Sequence, residues 1–219
     1  MNSARILTRD DVLSLEEYEK IRPQRRGDIL KVKQRRRVSV GPFATFYFES
    51  YDTMWYQVHE MLRIEGGGIA QIEEEIEAFA PLVPAGREFV ATLMFEIPDA
   101  ERRDRVLHEL GGVEETVFIS VGGTRSAAIQ EGDIERTNSG GKTSAVHFLR
   151  FPLSDDQAAY FKTKSCEVVL GIGHANYSHM AGLTEAARSE LVGDLSYTLF
   201  TARALLTAVV WCWIDAPQT

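Results

Sequence analysis

Residues 89 to 97 set Phe89, Ala91, Leu93, Phe95 and Ile97 on alternate positions, and a period of two puts them on one face of a strand. The segments TVFISV, TRSAAIQ, SAVHFLRF and EVVLGIGH also read as strands, divided by Gly, Asn and Asp rather than by regular helical crossovers. Strands joined by turns pair antiparallel, because a parallel pair needs a crossover of a dozen or more residues. Helical periodicity dominates before Pro81. The expected fold is therefore α+β: a single domain over residues 1–196, with N-terminal helices packed on a mainly antiparallel sheet, and an apolar helical extension over 197–219.

Local signals place the elements. Ser14 and Glu17 form a capping-box pattern, and LEEYEKI runs helically until Pro23 interrupts. Pro23 suits the first position of a second helix reaching about Arg36. RVSVGPFATFYFES reads as two short strands or one kinked edge strand. Asp52 or Thr53 caps a helix striped by Trp55, Val58 and Met61/Leu62, which Gly66-Gly67-Gly68 ends. The next helix carries Ile69, Ile72, Ile76 and Phe79/Ala80 on one face and its glutamates elsewhere. Short helices open at Pro98-Asp99, at Ser154 and at Thr184.

A chain of 219 residues with 44% apolar and 26% charged residues is an ordinary globular composition, which excludes disordered and low-complexity classes. Two cysteines, Cys166 and Cys212, exclude a disulfide framework and any multi-cysteine zinc or iron–sulfur site. With no secretory signal pattern at the N-terminus, a cytoplasmic location is expected. The formal charge of −8 is unevenly spread: Lys20 to Arg37 holds nine basic residues and one acid, a local +8, so the remainder carries −16. Such a stripe attracts phosphate or an acidic partner, while the acidic body repels bulk nucleic acid. Pairing with the chain's own glutamates is the plainer account of it. The stripe itself carries no aromatic interleaving for base stacking.

Several complete motifs are excluded. SGGKTS at 139–144 has Arg136 where a phosphate-binding loop needs its first glycine, and it feeds a strand rather than a helix. Gly122-Gly123 lacks the third glycine of a dinucleotide site. Both read as hairpin turns, so no ATP, GTP or dinucleotide cofactor is expected. His59-Glu60 begins a metalloprotease pattern, but Arg63 stands where the second histidine belongs. No Gly-x-Ser-x-Gly elbow occurs.

Two weaker constellations remain. Gln57, His59, Glu60, Arg63 and Glu65 share one helix, which with Glu73 and Glu74 of the next could offer carboxylates from two helices. Surface ion pairing explains the same residues, since the repeated Glu-x-x-His spacing is absent. His174, Tyr177 and His179 follow the last strand, where a terminal histidine serves structure more often than chemistry. The same holds for His147. Arg150 lies on the opposite face and suits a carboxylate clamp. Together these give Glu60, Arg63, His174 and Tyr177 as catalytic candidates, Arg35, Arg36, Arg37, Gln57 and Arg150 as binding candidates, and Glu60, Glu73 and His174 as metal ligands. The run Tyr197–Ile214 has one charge, Arg203. Packing on the body or on a second copy suits it, with a membrane anchor as the lesser alternative.

LSLEEYEKIRPQRRGDILKVKQRRRVSVGPFATFYFES, DTMWYQVHEMLRIE, REFVATLMFEIPD, GKTSAVHFLRFPL and VVLGIGHANY resemble the bacterial domain-of-unknown-function 3501 family, from about Leu13 to Leu195. The resemblance marks Arg35, Arg36, Arg37, Gln57, Glu60, Met61, Arg63, Glu65, Arg150, His174 and Tyr177. It implies no activity, but a setting beside rubrerythrin-like and iron–sulfur oxidoreductases. His174-Ala175 departs from the family's His-Pro, and the tail after Leu195 lies outside the pattern. The leading expectation is an accessory protein of a redox or stress-response system whose basic helix docks an acidic partner, with self-association through the C-terminal helix as a further expectation. A metal-dependent or acid–base enzyme using Glu60, Arg63 and His174 is the alternative, and nucleic-acid binding through the basic helix is the third.

Overall fold

A computed structural model describes residues 5–130, 137, 140–163 and 165–195; the extension over 197–219, with its proposed packing, lies outside them. Six helices and two antiparallel sheets make up the fold: α1 (Leu15–Arg35), β1 (Arg37–Val40), β2 (Ala44–Phe48), α2 (Tyr51–Glu65), α3 (Gly68–Phe79), β3 (Glu88–Phe95), α4 (Ala100–Glu109), β4 (Val117–Val121), β5 (Thr124–Ala127), β6 (Ile129–Gln130), β7 (Val146–Pro152), α5 (Asp155–Phe161), β8 (Val168–His174), β9 (Tyr177–Gly182) and α6 (Glu185–Leu191). The α+β class holds, but the single expected sheet is two, ordered β1-β2-β3-β7-β6 and β5-β4-β8-β9.

The two sheets share one core. Phe46, Phe48, Phe89, Leu93, Phe95, Leu149 and Phe151 line it from the first, and Val117, Ile119, Leu170 and Ile172 from the second. Each such side chain contributes about 1.5–3 kcal/mol by leaving water. The strand 124–130 serves both sheets: β5 pairs with β4 and β6 with β7. At the change-over the Ala128 amide donates to the Val117 carbonyl, 2.9 Å away. Gly122 and Gly123, at φ +57° and +83°, give the β4–β5 hairpin the two positive φ values of a type I′ turn. Leu107 and Leu110 from α4 and its end, Phe161 from α5 and Leu191 from α6 also enter this core.

The outer face of the first sheet carries the helical layer. Val90 and Phe148 pack with Leu7, Met54, Val58 and Leu82 in a second cluster under α2. Beyond Val90 on β3 the outward residues are Thr92 and Met94, and Met94 is exposed.

Local readings meet several corrections. α1 does not break at Pro23 but runs on through it; the ring is exposed, so water can serve the carbonyl one turn back that the missing N–H leaves open. Ser50, not Asp52 or Thr53, caps α2, with Thr53 as its capping-box partner. On α3 the buried positions include Gln71 and Glu75, since Gln71 Nε2 donates to Glu75 (3.2 Å) and to Glu65 (2.8 Å) while its Oε1 accepts from the Gly67 amide. The caps at Ser14, Ser154 and Thr184 form as read.

Candidate functional site

The α1–α2 seam holds the helical constellation. Arg22 grips the Glu60 carboxylate with two bonds of 2.8 and 2.9 Å, and the Tyr18 hydroxyl donates to it at 2.7 Å. That pairing with Arg22 holds the Glu60 carboxyl down to about 2, against an opposing push from burial. Burial, reinforced by Glu60, drives the Tyr18 hydroxyl far above its ordinary value. An acid fixed as a carboxylate and a phenol fixed as a donor have no spare proton to trade near neutral pH. Arg63 reaches Glu19 at 2.6 Å. His59 is buried, with Nδ1 against the Trp55 carbonyl (2.7 Å) and Nε2 accepting the Leu13 amide (3.0 Å). Burial lowers its pKa, so it stays a neutral imidazole tying the N-terminal segment to α2. Gln57 is half-buried on the same helix.

The basic segment is largely consumed by the chain's own acids. Arg35 pairs with Glu190 and Arg37 with Glu96, at 2.7 and 2.9 Å. Arg36 is buried, paired with Asp194 and donating to the Phe48 and Glu49 carbonyls. Lys20 meets Glu16, and Lys31 lies 3.9 Å from Asp28. Among the described residues, Arg25, Arg26 and Lys33 have no carboxylate oxygen within 4.0 Å. The aromatic partners missing from the stripe itself come from α2: Arg25 sits 5.1 Å from the Trp55 ring and Lys33 5.8 Å from that of Tyr56.

The remaining candidates lie elsewhere. Glu73 pairs with Arg9 at 2.6 Å. Arg150, read as a binding candidate, is engaged within the fold by Glu88 and by the Pro81 carbonyl. His174 Nδ1 accepts from the Asn176 amide at 3.2 Å and Nε2 faces the Gly111 carbonyl at 3.3 Å. The Tyr177 hydroxyl accepts from Phe43 and Ala44 amides and donates to the Val40 carbonyl, fastening β9 to the β1–β2 turn. His147 is fully buried, with Nε2 2.9 Å from the Ser144 carbonyl. Glu60 and Arg63 thus share the α1–α2 seam, each with its own partner, while Arg150 and His174 lie in two other neighbourhoods. Glu60, Glu73 and His174 are not brought together, and among the described residues no group of three or more His, Cys, Asp or Glu is placed to hold a metal ion. Among those residues, too, no helix is long and apolar enough to cross a membrane.

Concavities flank the helical layer. An apolar cleft of about 310 Å³ opens between the N-terminal segment, α1, α2 and α3, lined by Leu13, Leu15, Tyr18, His59, Leu62 and Ile72. A cavity of about 210 Å³ lies where the helical layer stops short on the first sheet, lined by Lys33, Tyr47, Glu49, Thr53, Thr92 and Met94 among others. Glu49 was not among the sequence candidates. Its signal was faint: it is the only acid between Arg37 and Asp52, and it stands immediately before a helix cap.

Comparison with known proteins places this arrangement. No curated protein matches the chain. A crystal structure from Burkholderia pseudomallei K96243, described as a novel protein of unknown function, is 38% identical and superimposes with a TM-score of 0.81, covering 88% of this chain and all of that one. The model of the family described as protein of unknown function (DUF3501) matches residues 6–195, which is most of the chain, and the chain belongs to that family.

Proposed function

We propose that the chain is a cytoplasmic accessory protein that works by binding, in a redox or oxidative-stress system with a rubrerythrin-like or iron–sulfur protein as its acidic partner. The observation that carries the binding role is the dispersal of the polar candidates. Glu60 and Arg63 both fasten α1 to α2, while Arg150 and His174 hold two other junctions, so the candidates do not converge on a common substrate position. The redox setting rests on the family resemblance alone. What the helical layer leaves accessible is an apolar cleft and the cations Arg25 and Arg26, a pairing that suits an acidic segment with an apolar anchor. Arg35, Arg36 and Arg37 are engaged within the molecule and are not the contact residues of this reading.

The test is a calorimetric titration of the purified chain with the rubrerythrin-like protein of the same bacterium, at low and high salt. Binding is expected to weaken with salt and to fall at least tenfold in the R25E/R26E double variant. No binding at low salt, or binding indifferent to both changes, would defeat the proposal. A nucleic-acid reading is second, favoured by the rings of Trp55 and Tyr56 beside Arg25 and Lys33. Failure to be retained on heparin at low salt removes it.

A further inference from the structure

We infer that the cavity over β2 and β3 is a binding site for a small zwitterion, a free amino acid in chemical class. Its floor is the outer face of the first sheet at Tyr47, Thr92 and Met94, and its walls are the end of α1 and the start of α2. The helical layer covers the sheet at Val90 and leaves this stretch open.

Three charged side chains line the one cavity: Arg36 is paired with Asp194, whereas Glu49 and Lys33 stand opposite in sign without a salt bridge. Glu49 is 8% exposed. Thr53 and Thr92 hydroxyls each donate to one of its carboxylate oxygens, both at 2.7 Å. Among the described residues no Lys, Arg or His nitrogen lies within 4.0 Å of either oxygen. The neighbouring Arg36 gives its guanidinium to Asp194 and to backbone carbonyls, that of Glu49 included, rather than to the Glu49 carboxylate. The start of α2 and the two hydroxyls offer the carboxylate dipoles but no formal positive charge, and a buried carboxylate without a salt bridge favours a cationic partner. Lys33 reaches the same cavity and likewise has no carboxylate partner.

A ligand with an ammonium at one end and a carboxylate at the other satisfies both groups. A simple amine would leave Lys33 unpaired and meet its repulsion; a simple carboxylate would face Glu49. Tyr47 is fixed, its hydroxyl donating to Glu96 at 2.7 Å, and with Met94 it offers an apolar wall for a side chain. A volume of about 210 Å³ admits a molecule of amino-acid size.

The experiment is amide-resolved NMR titration of the full chain with single amino acids up to 10 mM, with butylamine and butyrate as singly charged controls. At least one amino acid is expected to saturate shifts at Thr92 and Met94, and both controls to bind at least tenfold more weakly. Glu49→Gln and Lys33→Met should each weaken the amino acid at least tenfold. Thr92→Val supplies a third variant should Glu49→Gln fail to fold, and it too should weaken binding. No saturable shift with any amino acid, equal binding of butylamine, or unchanged affinity in these variants would overturn the inference. Since Arg25 and Arg26 play no part here, the outcome is separate from that of the partner titration.

Discussion

Tyr177→Phe should cost the fold about 3 kcal/mol while leaving its packing intact. The phenol oxygen serves three backbone groups at the β1–β2 turn, the Phe43 and Ala44 amides at 2.9 Å and the Val40 carbonyl at 2.8 Å. Ala44 and Val40 are essentially inaccessible to water. Each buried group left without its partner costs about 1–3 kcal/mol, and partial relaxation of the half-buried Phe43 amide brings the total toward the lower end of the sum. The ring itself stays against Phe95 and His179, at 6.0 and 4.6 Å between centroids, so phenylalanine removes the hydroxyl alone. The turn is built for the contact: Gly41 sits at φ +70°, where a Cβ would lie 2.6 Å from the His179 ring and 2.8 Å from the Tyr177 oxygen. In a domain of this size about 3 kcal/mol lowers Tm by roughly 6–12 °C. Urea unfolding followed by circular dichroism measures it, and the slope should be unchanged. A loss under about 1 kcal/mol would refute the view that this hydroxyl holds the two sheets together at that edge.

Two further outcomes follow from buried charge. Arg36→Met leaves Asp194 and two carbonyls without their donor in a buried site and should destabilise by about 3–5 kcal/mol in the same urea assay; a cost below about 1 kcal/mol would mean the pair is not part of the fold's support. Burial lowers the pKa of His59, so its neutral form is required in the folded state. Its stabilisation is present above the ordinary histidine value near 6.5 and is lost as pH falls below it, by at most about 1.4 kcal/mol per pH unit. Asp194, whose pKa burial raises, acts in the opposite sense, losing stability as pH rises through its folded value. The difference between wild type and His59→Gln isolates the histidine, and a variant with the same slope from pH 6.5 to 5 would contradict the assignment.

The parts of the fold legible in the sequence were those with a local cause. A period-two pattern marked β3, turn residues bounded β4, β7 and β8, and Ser14, Ser154 and Thr184 announced their helices because a cap acts within three residues of itself. Pro23 misled because its penalty depends on exposure, which no local pattern states. The division into two sheets was hidden for a related reason. β5 and β6 are one continuous run in sequence; β5 closes a local hairpin with β4, and only the long-range pairing of β6 with β7 splits the run between two sheets. At the candidate site, Glu60, Arg150 and His174 had their partners chosen by elements distant in sequence, at Arg22, Glu88 and Gly111. Glu49 was missed because its meaning lies in what is absent around it among the described residues, a salt-bridge partner.

The fate of the basic stripe limits how this protein can recognise anything. Of the nine cations between Lys20 and Arg37, six meet acids of the same chain, and each exposed pair of that kind adds little to stability, about 0–1 kcal/mol. Their larger effect is on the field outside: a paired arginine presents almost no net charge beyond a Debye length of about 8–10 Å. Three cations beside an otherwise acidic surface can orient a partner but supply a shallow salt dependence, far from that of a protein wrapping a phosphate backbone. In the proposed mode of binding, discrimination then comes from shape and desolvation, which the apolar cleft supplies for a protein partner and the Glu49 cavity for the proposed smaller molecule. A partner bound through the cleft should therefore lose more affinity when Leu62 is changed to a polar residue than when either Arg25 or Arg26 is neutralised singly.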